Sequence, residues 1–239
     1  MVTIYKRELR GFFHTSMGYV FVGVFLALSG IIFYLSNLQP LSGELLIFLS
    51  QLTLLLMLLC PLLTMRLICE ERQRRTDQLL LTSPVSLTAI VLGKYLAAAT
   101  VLGLAVLLTH VHVLIIGLYG TLYAGEWFVG YLGLMLQGLS FLALDMLVTC
   151  FARNTLSAAA AAFAANFVLW LLDLLAQYVP IGALSEALRF VSLYRRYEPF
   201  ILGQLSFANI LFFLSFIAAC LVGTIHVMDG KRFSQGGAA

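Results

Sequence analysis

The chain has 239 residues, 62% of them hydrophobic and only 10% charged, with a formal net charge of +3. A water-soluble domain carries roughly a quarter charged residues, so this composition, with mean hydropathy +1.00, cannot cover a folded surface with polar groups. It excludes a soluble enzyme, makes the lipid bilayer the solvent, and leaves no nucleic acid among the expected partners.

In chain order, Val2, Tyr5, Leu9, Phe12 and Phe13 share one helical face while Lys6, Arg7 and Arg10 lie elsewhere. That spacing predicts an amphipathic helix over residues 1–14, lying at the membrane interface. Six apolar runs follow: Met17–Ser36, Leu45–Ile68, Ile90–Tyr119, Trp127–Cys150, Ser157–Tyr178 and Ala208–Met228. Each is long enough to cross a bilayer as a helix, which satisfies its own backbone in hydrocarbon. The first is too long for the core of a cleavable signal, and no small-residue cleavage site follows before Pro40. It is expected to remain as a span. Pro61 removes a backbone donor from the second run and predicts a kink there. The third run exceeds one crossing, so its Lys94 end is expected to project beyond the hydrocarbon.

Between the second and third runs stands the one dense charged stretch, Glu70-Glu71-Arg72-Gln73-Arg74-Arg75-Thr76-Asp77. Leu79-Leu80-Leu81, then Ser83-Pro84, then Gly93-Lys94 come after it. The position before a proline disfavours helix, so the loop 69–88 reads as a short helix, a turn and a new span. A helix with charges on one part and leucines on another suits a groove on a soluble partner. A solvated loop whose leucines rest on lipid fits the same residues. The outer segment 179–207 is less polar than a free loop. There Ile181, Leu184, Leu188 and Val191 recur at helical spacing against Ser185, Glu186, Arg189 and Ser192, predicting one or two short helices on the outer leaflet or dipping into it.

Six spans place both termini on one side. Under that topology Lys6, Arg7, Arg10, Arg66, Arg72, Arg74, Arg75, Lys94, Arg153, Lys231 and Arg232 share a side, and only Arg189, Arg195 and Arg196 fall opposite. The bias makes both termini cytoplasmic, with Tyr119, Tyr123, Trp127 and Tyr178 in an outer aromatic belt. The four cysteines, Cys60, Cys69, Cys150 and Cys220, have no paired spacing and read as small, reduced, apolar residues.

Polar groups inside the spans are candidates for function, because each costs insertion energy. They are His110, His112, Gln137, Asp145, Asn166 and Asp173. Asp145 reads as an interfacial carboxylate within reach of Arg153. Asp173 lies in the outer half near His110, and His110, Asn166 and Asp173 are the possible pathway residues. His110 and His112 are two apart and point to different faces, so no metal site is predicted. Ala158 to Ala162, with Ala164 and Ala165, give the fifth span a small-residue surface suited to close helix contact.

Glu70-Glu71 after a second span, Thr76-Asp77, Leu79-Leu80, Ser83-Pro84 and Gly93-Lys94 resemble the cytoplasmic loop of ABC-2 type transporter permeases. Tyr5-Lys6-Arg7-Glu8-Leu9 before Gly18-Tyr19 resembles their interfacial connector helix. The likeness is strongest to the branch associated with bacterial gliding motility and related export systems. Arg75 stands where that pattern carries glycine, and Asp77 where it carries glutamate. The resemblance implies a permease subunit of the bacterial inner membrane that moves its substrate outward as an exporter and lacks its own motor. No G-x-x-x-x-G-K-[ST] loop occurs in the sequence, so ATP and Mg would be bound by a separate cytoplasmic ATPase. By the same resemblance that ATPase docks on Glu70, Glu71, Arg72, Arg74, Arg75 and Asp77, the connector helix contains Tyr5, Lys6, Arg7 and Leu9, and a second permease chain, identical or related, meets the first and fifth spans. An auxiliary membrane protein could join them. Two competitors remain: a non-transporting scaffold or sensor that anchors an ATPase, and an intramembrane aspartyl protease built on Asp145 and Asp173, whose local sequences lack the Tyr-Asp and Gly-x-Gly-Asp settings that chemistry uses.

Overall fold

A computed structural model describes residues 1–73, 86–119, 124–178 and 192–236, and every regular element among them is helical. The elements are α1 (Val2–His14), α2 (Met17–Phe33) extended by a π turn (Tyr34–Leu38), α3 (Leu45–Gln73), α4 (Leu87–Leu108), α5 (His110–Tyr119), α6 (Ala124–Thr149), α7 (Thr155–Tyr178), α8 (Leu193–Ile201) and α9 (Phe207–Gly236). Six stretches are long and apolar enough to cross a membrane: Met17–Leu38, Leu45–Cys69, Leu87–Leu118, Ala124–Thr149, Thr155–Leu172 and Phe207–Gly230. The six-span, all-helical expectation holds. α3 and α6 form the centre of the bundle, whereas α2, α7 and α9 turn most of their surface outward.

Packing adds two features to the spans. Lys94, near the head of the long third run, is buried within the protein. The same run is broken at Thr109, between α4 and α5. There the Thr109 hydroxyl donates back to the Val106 carbonyl at 2.7 Å, and the Tyr131 hydroxyl of α6 donates to the Thr109 carbonyl at 3.3 Å. The break thus finds hydrogen-bond partners in a setting without water, the condition for irregular backbone at that depth.

α3 runs through Pro61 as a helix. Proline has no N–H, so the Met57 carbonyl loses its usual partner four residues on. The Asn166 side-chain amide of α7 donates to that carbonyl at 3.4 Å. Pro61 and Asn166 are therefore one device, which ties α7 to the middle of α3. The alanines of α7 divide: Ala158 and Ala162 are buried, with Ala158 packed beside Cys69 and Ala152, whereas Ala160 and Ala164 are exposed. Part of the small-residue surface serves packing within the chain.

In the outer segment, residues 179–191 lie outside the described residues, Arg189 included. α8 follows, capped by Ser192, whose hydroxyl accepts from the Arg195 N–H at 3.1 Å. α8 inserts into the bundle instead of resting on it. Leu193, Tyr197 and Phe200 are buried, and the Tyr197 hydroxyl donates to the Leu49 carbonyl at the start of α3, at 3.3 Å. The Phe200 ring occupies the space that a Cβ on Gly133 of α6 would need. Burial pushes the Tyr197 phenol above its ordinary pKa. It also lowers that of Arg196, whose guanidinium lies 3.9 Å from the Phe212 ring centre.

Candidate functional site

The loop that follows α3 and precedes α4 is rooted in a joint made of three helices. α1 lies across the start of α4. A Cβ on Gly93 would come within 3.0 Å of the Ile4 side chain and 3.3 Å of the Tyr5 backbone nitrogen, so a larger residue there would press α1 away. Two turns along α4 from the crossing, the Tyr5 hydroxyl and the Thr100 hydroxyl are 3.0 Å apart.

Lys94 is the centre of the joint. Its side chain is 1% exposed, and its Nζ donates to the Leu67 carbonyl of α3 at 2.6 Å. The same Nζ lies 3.3 Å from the Glu8 carboxylate of α1, which also pairs with Arg7. A buried ammonium is tolerated only when a counter-charge and further hydrogen bonds replace its water, and here α1 supplies the charge while α3 supplies the carbonyl. The outlet of α3 and the inlet of α4 are thus pinned to one another through a third helix. A second pin lies at the elbow after α1, where Arg66 of α3 donates to the Thr15 hydroxyl at 3.1 Å. Ser16 then takes a left-handed conformation (φ 57°), and α2 begins at Met17.

The charged stretch grows directly from this joint. The helical backbone of α3 extends through Glu70, Glu71 and Arg72 to Gln73. The side chains of Glu70, Glu71 and Arg72 lie outside the described residues, as do Arg74, Arg75 and Asp77 entirely. Of the connector residues named from sequence, Tyr5 and Leu9 are half-buried against the bundle, and Lys6 and Arg7 are exposed. Leu67, Thr15 and Thr100 are not singled out by the sequence, and Glu8 enters there only as part of the connector motif. The one signal available for them was a lysine directly after a glycine at the head of an apolar run.

The proposed pathway residues are not gathered into one place. His110 stacks on Tyr131 (4.1 Å between centroids) and Trp127 (5.6 Å) of α6. His112 faces the opposite way, toward Phe33 (4.8 Å) and Phe48 (5.6 Å) of α2 and α3. Asn166 is occupied by the Met57 carbonyl. The backbone of Asp173 is in α7, and its side chain lies outside the described residues. Asp145 is fully buried whereas Arg153 is exposed, so the expected interfacial ion pair does not describe this carboxyl. Cys60 of α3 and the Asn166 amide are its polar neighbours, and neither carboxyl oxygen receives a well-formed hydrogen bond among the described residues. Among those residues no group of three or more His, Cys, Asp or Glu side chains is placed to hold a metal.

α1 is thus pinned to the second and third of six candidate spans, at the two ends from which the charged stretch departs and returns. Residues 3–236 match the family described as ABC-2 family transporter protein. The chain belongs to the ABC-2 transporter family. It is a multi-pass membrane subunit of a transporter and is not itself catalytic. Comparison with curated proteins finds no match. In this ABC-2 permease the joint around Lys94 brings α1, the end of α3 and the start of α4 together through named polar contacts.

Proposed function

We propose that this permease is the membrane half of an exporter of the bacterial inner membrane, most like the gliding-motility-associated branch, with both termini cytoplasmic. It is driven by a separate cytoplasmic ATPase that binds ATP and Mg and docks on the loop 70–84, with Glu70, Glu71, Arg72, Arg74, Arg75 and Asp77 at the contact. The observation that carries this reading is the buried Lys94 joint: whatever pushes the loop moves the ends of α3 and α4 and, through Glu8, the whole of α1. ATP binding closes the ATPase pair, shifts the joint and changes how the spans pack. Two permease chains line the path. By the family resemblance α2 and α7 are the favoured contact between them, and both, like α9, turn most of their surface away from their own bundle.

The test is purification of the chain from its native membrane in mild detergent, beside a chain with Glu70, Glu71 and Arg74 reversed in charge. The expected result is a co-purifying, ATP-hydrolysing partner that is lost on reversal. Recovery of no nucleotide-binding partner with the unaltered chain would sink the reading. A partner that stays bound after reversal would move the docking site off the loop. Recruitment of an ATPase without any transport-dependent phenotype would favour the scaffold or sensor alternative.

A further inference from the structure

The elbow between α1 and α2 holds a cleft that the coupling of loop to spans does not use. Its volume is about 680 Å³, and Leu9, Arg10, Phe13, His14 and Tyr19 line it. The floor is apolar. Leu9 and Phe13 are half-buried against the bundle, the Phe13 and Tyr19 rings meet edge to face at 5.1 Å, and Tyr19 is 65% exposed. The rim is basic. Arg10 and His14 stand one helical turn apart, with Lys6 one turn before Arg10 on the same stripe, and all three are exposed.

None of these three side chains makes a hydrogen bond or ion pair among the described residues. The other cations nearby are engaged: Arg7 with Glu8, Lys94 with Glu8 and Leu67, and Arg66 with Thr15. The elbow is also held in shape, since a Cβ on Gly18 would come within 3.1 Å of the Phe12 carbonyl oxygen. The first membrane crossing begins at Met17, which sets the cleft at the boundary between headgroups and hydrocarbon. A water-soluble anion would satisfy the rim and leave the aromatic floor wet, whereas a lipid satisfies both.

We propose that the α1–α2 elbow is a binding site for an anionic phospholipid of the adjoining leaflet. Arg10 and His14 donate to its phosphate, Lys6 adds charge, and an acyl chain lies over Leu9, Phe13 and Tyr19. The site selects anionic over zwitterionic lipid, because a net negative headgroup is attracted to the stripe while a zwitterion is nearly neutral at that distance. Lys6 and Arg10 each contribute about a fivefold preference. The assignment stands whether or not an ATPase docks on the loop.

The test places a reporter in the cleft: Tyr19→Trp in the full chain, with Trp127 and Trp170 replaced by Phe, reconstituted with lipids brominated on their acyl chains. Brominated phosphatidylglycerol is expected to quench the reporter several-fold more strongly than brominated phosphatidylcholine at equal mole fraction. Arg10→Glu with His14→Ala removes that preference, Arg10→Lys keeps most of it, and Arg195→Ala at the opposite end leaves it unchanged. Circular dichroism of the same samples confirms that each variant is folded. Equal quenching by the two lipids, or a preference intact in the Arg10→Glu, His14→Ala chain, overturns the proposal. Loss of the preference on adding millimolar inorganic phosphate overturns the lipid assignment in favour of a free phosphate.

Discussion

The two ends of the bundle each carry a short helix that does not cross the membrane, and the two are held by opposite chemistry. α1 rests in a notch opened by Gly93 and is secured by a buried ion pair, a hydroxyl contact and a hydroxyl–guanidinium contact. α8 rests in a notch opened by Gly133 and is secured mainly by buried rings, with the Tyr197 hydroxyl reaching Leu49 and Arg196 donating to the Asn209 side chain at 3.3 Å. A glycine permits close approach in both places, so the difference lies in what fills the contact. Packed rings lose their contacts all at once when the helix leaves, which makes α8 a fixed plug. Polar pins can be broken and remade one at a time, and the pins of α1 sit where the loop enters and leaves the bundle. The comparison teaches that α1 is held by polar contacts that can be exchanged singly, and α8 mainly by packing.

That contrast can be broken by experiment. Phe200→Ala is expected to have the largest effect, lowering stability by about 4 kcal/mol through the cavity left above Gly133, read by unfolding in detergent. If it proves harmless, α8 is not a plug. Next, Lys94→Met should cost about 2 kcal/mol, because it leaves the Leu67 carbonyl without its donor and the Glu8 carboxylate with Arg7 alone. The loss should be local: amide exchange in α1 is expected to speed up while α8 stays protected. Equal protection in both helices would show that the ion pair does not hold α1. Asn166→Leu should cost about 2 kcal/mol by leaving the Met57 carbonyl without a donor, and pairing it with Pro61→Ala, which restores the backbone N–H, should recover most of the loss. Additive losses in the double variant would separate the two residues. The smallest effects are expected from Tyr5→Phe and Tyr197→Phe, about 1 kcal/mol each. Tyr5→Phe should loosen α1 alone, and Tyr197→Phe should lower the global transition.

Much of the membrane architecture was legible in advance because hydropathy is a sum over neighbours along the chain. Apolar runs of spanning length locate the six crossings whatever packs beside them. The amphipathic face of residues 2–13 and the absence of a phosphate-binding loop are equally local. The fate of individual polar residues was not legible in that way. Lys94 reads as a residue at the water's edge, and Asn166 as a pathway group. Their positions become intelligible only when Glu8, Leu67 and the proline-freed carbonyl of Met57 are brought beside them, across sequence separations of 86, 27 and 109 residues.

The sequence by itself determined that this protein lives in a bilayer, crosses it six times and carries one dense charged stretch, with no G-x-x-x-x-G-K-[ST] motif in these 239 residues. These properties follow from composition, period and charge order, none of which needs a partner across the fold. The tertiary structure decided which polar groups are joints and which remain available. A buried lysine or asparagine takes its role from the group that replaces its water, and that group comes from another helix.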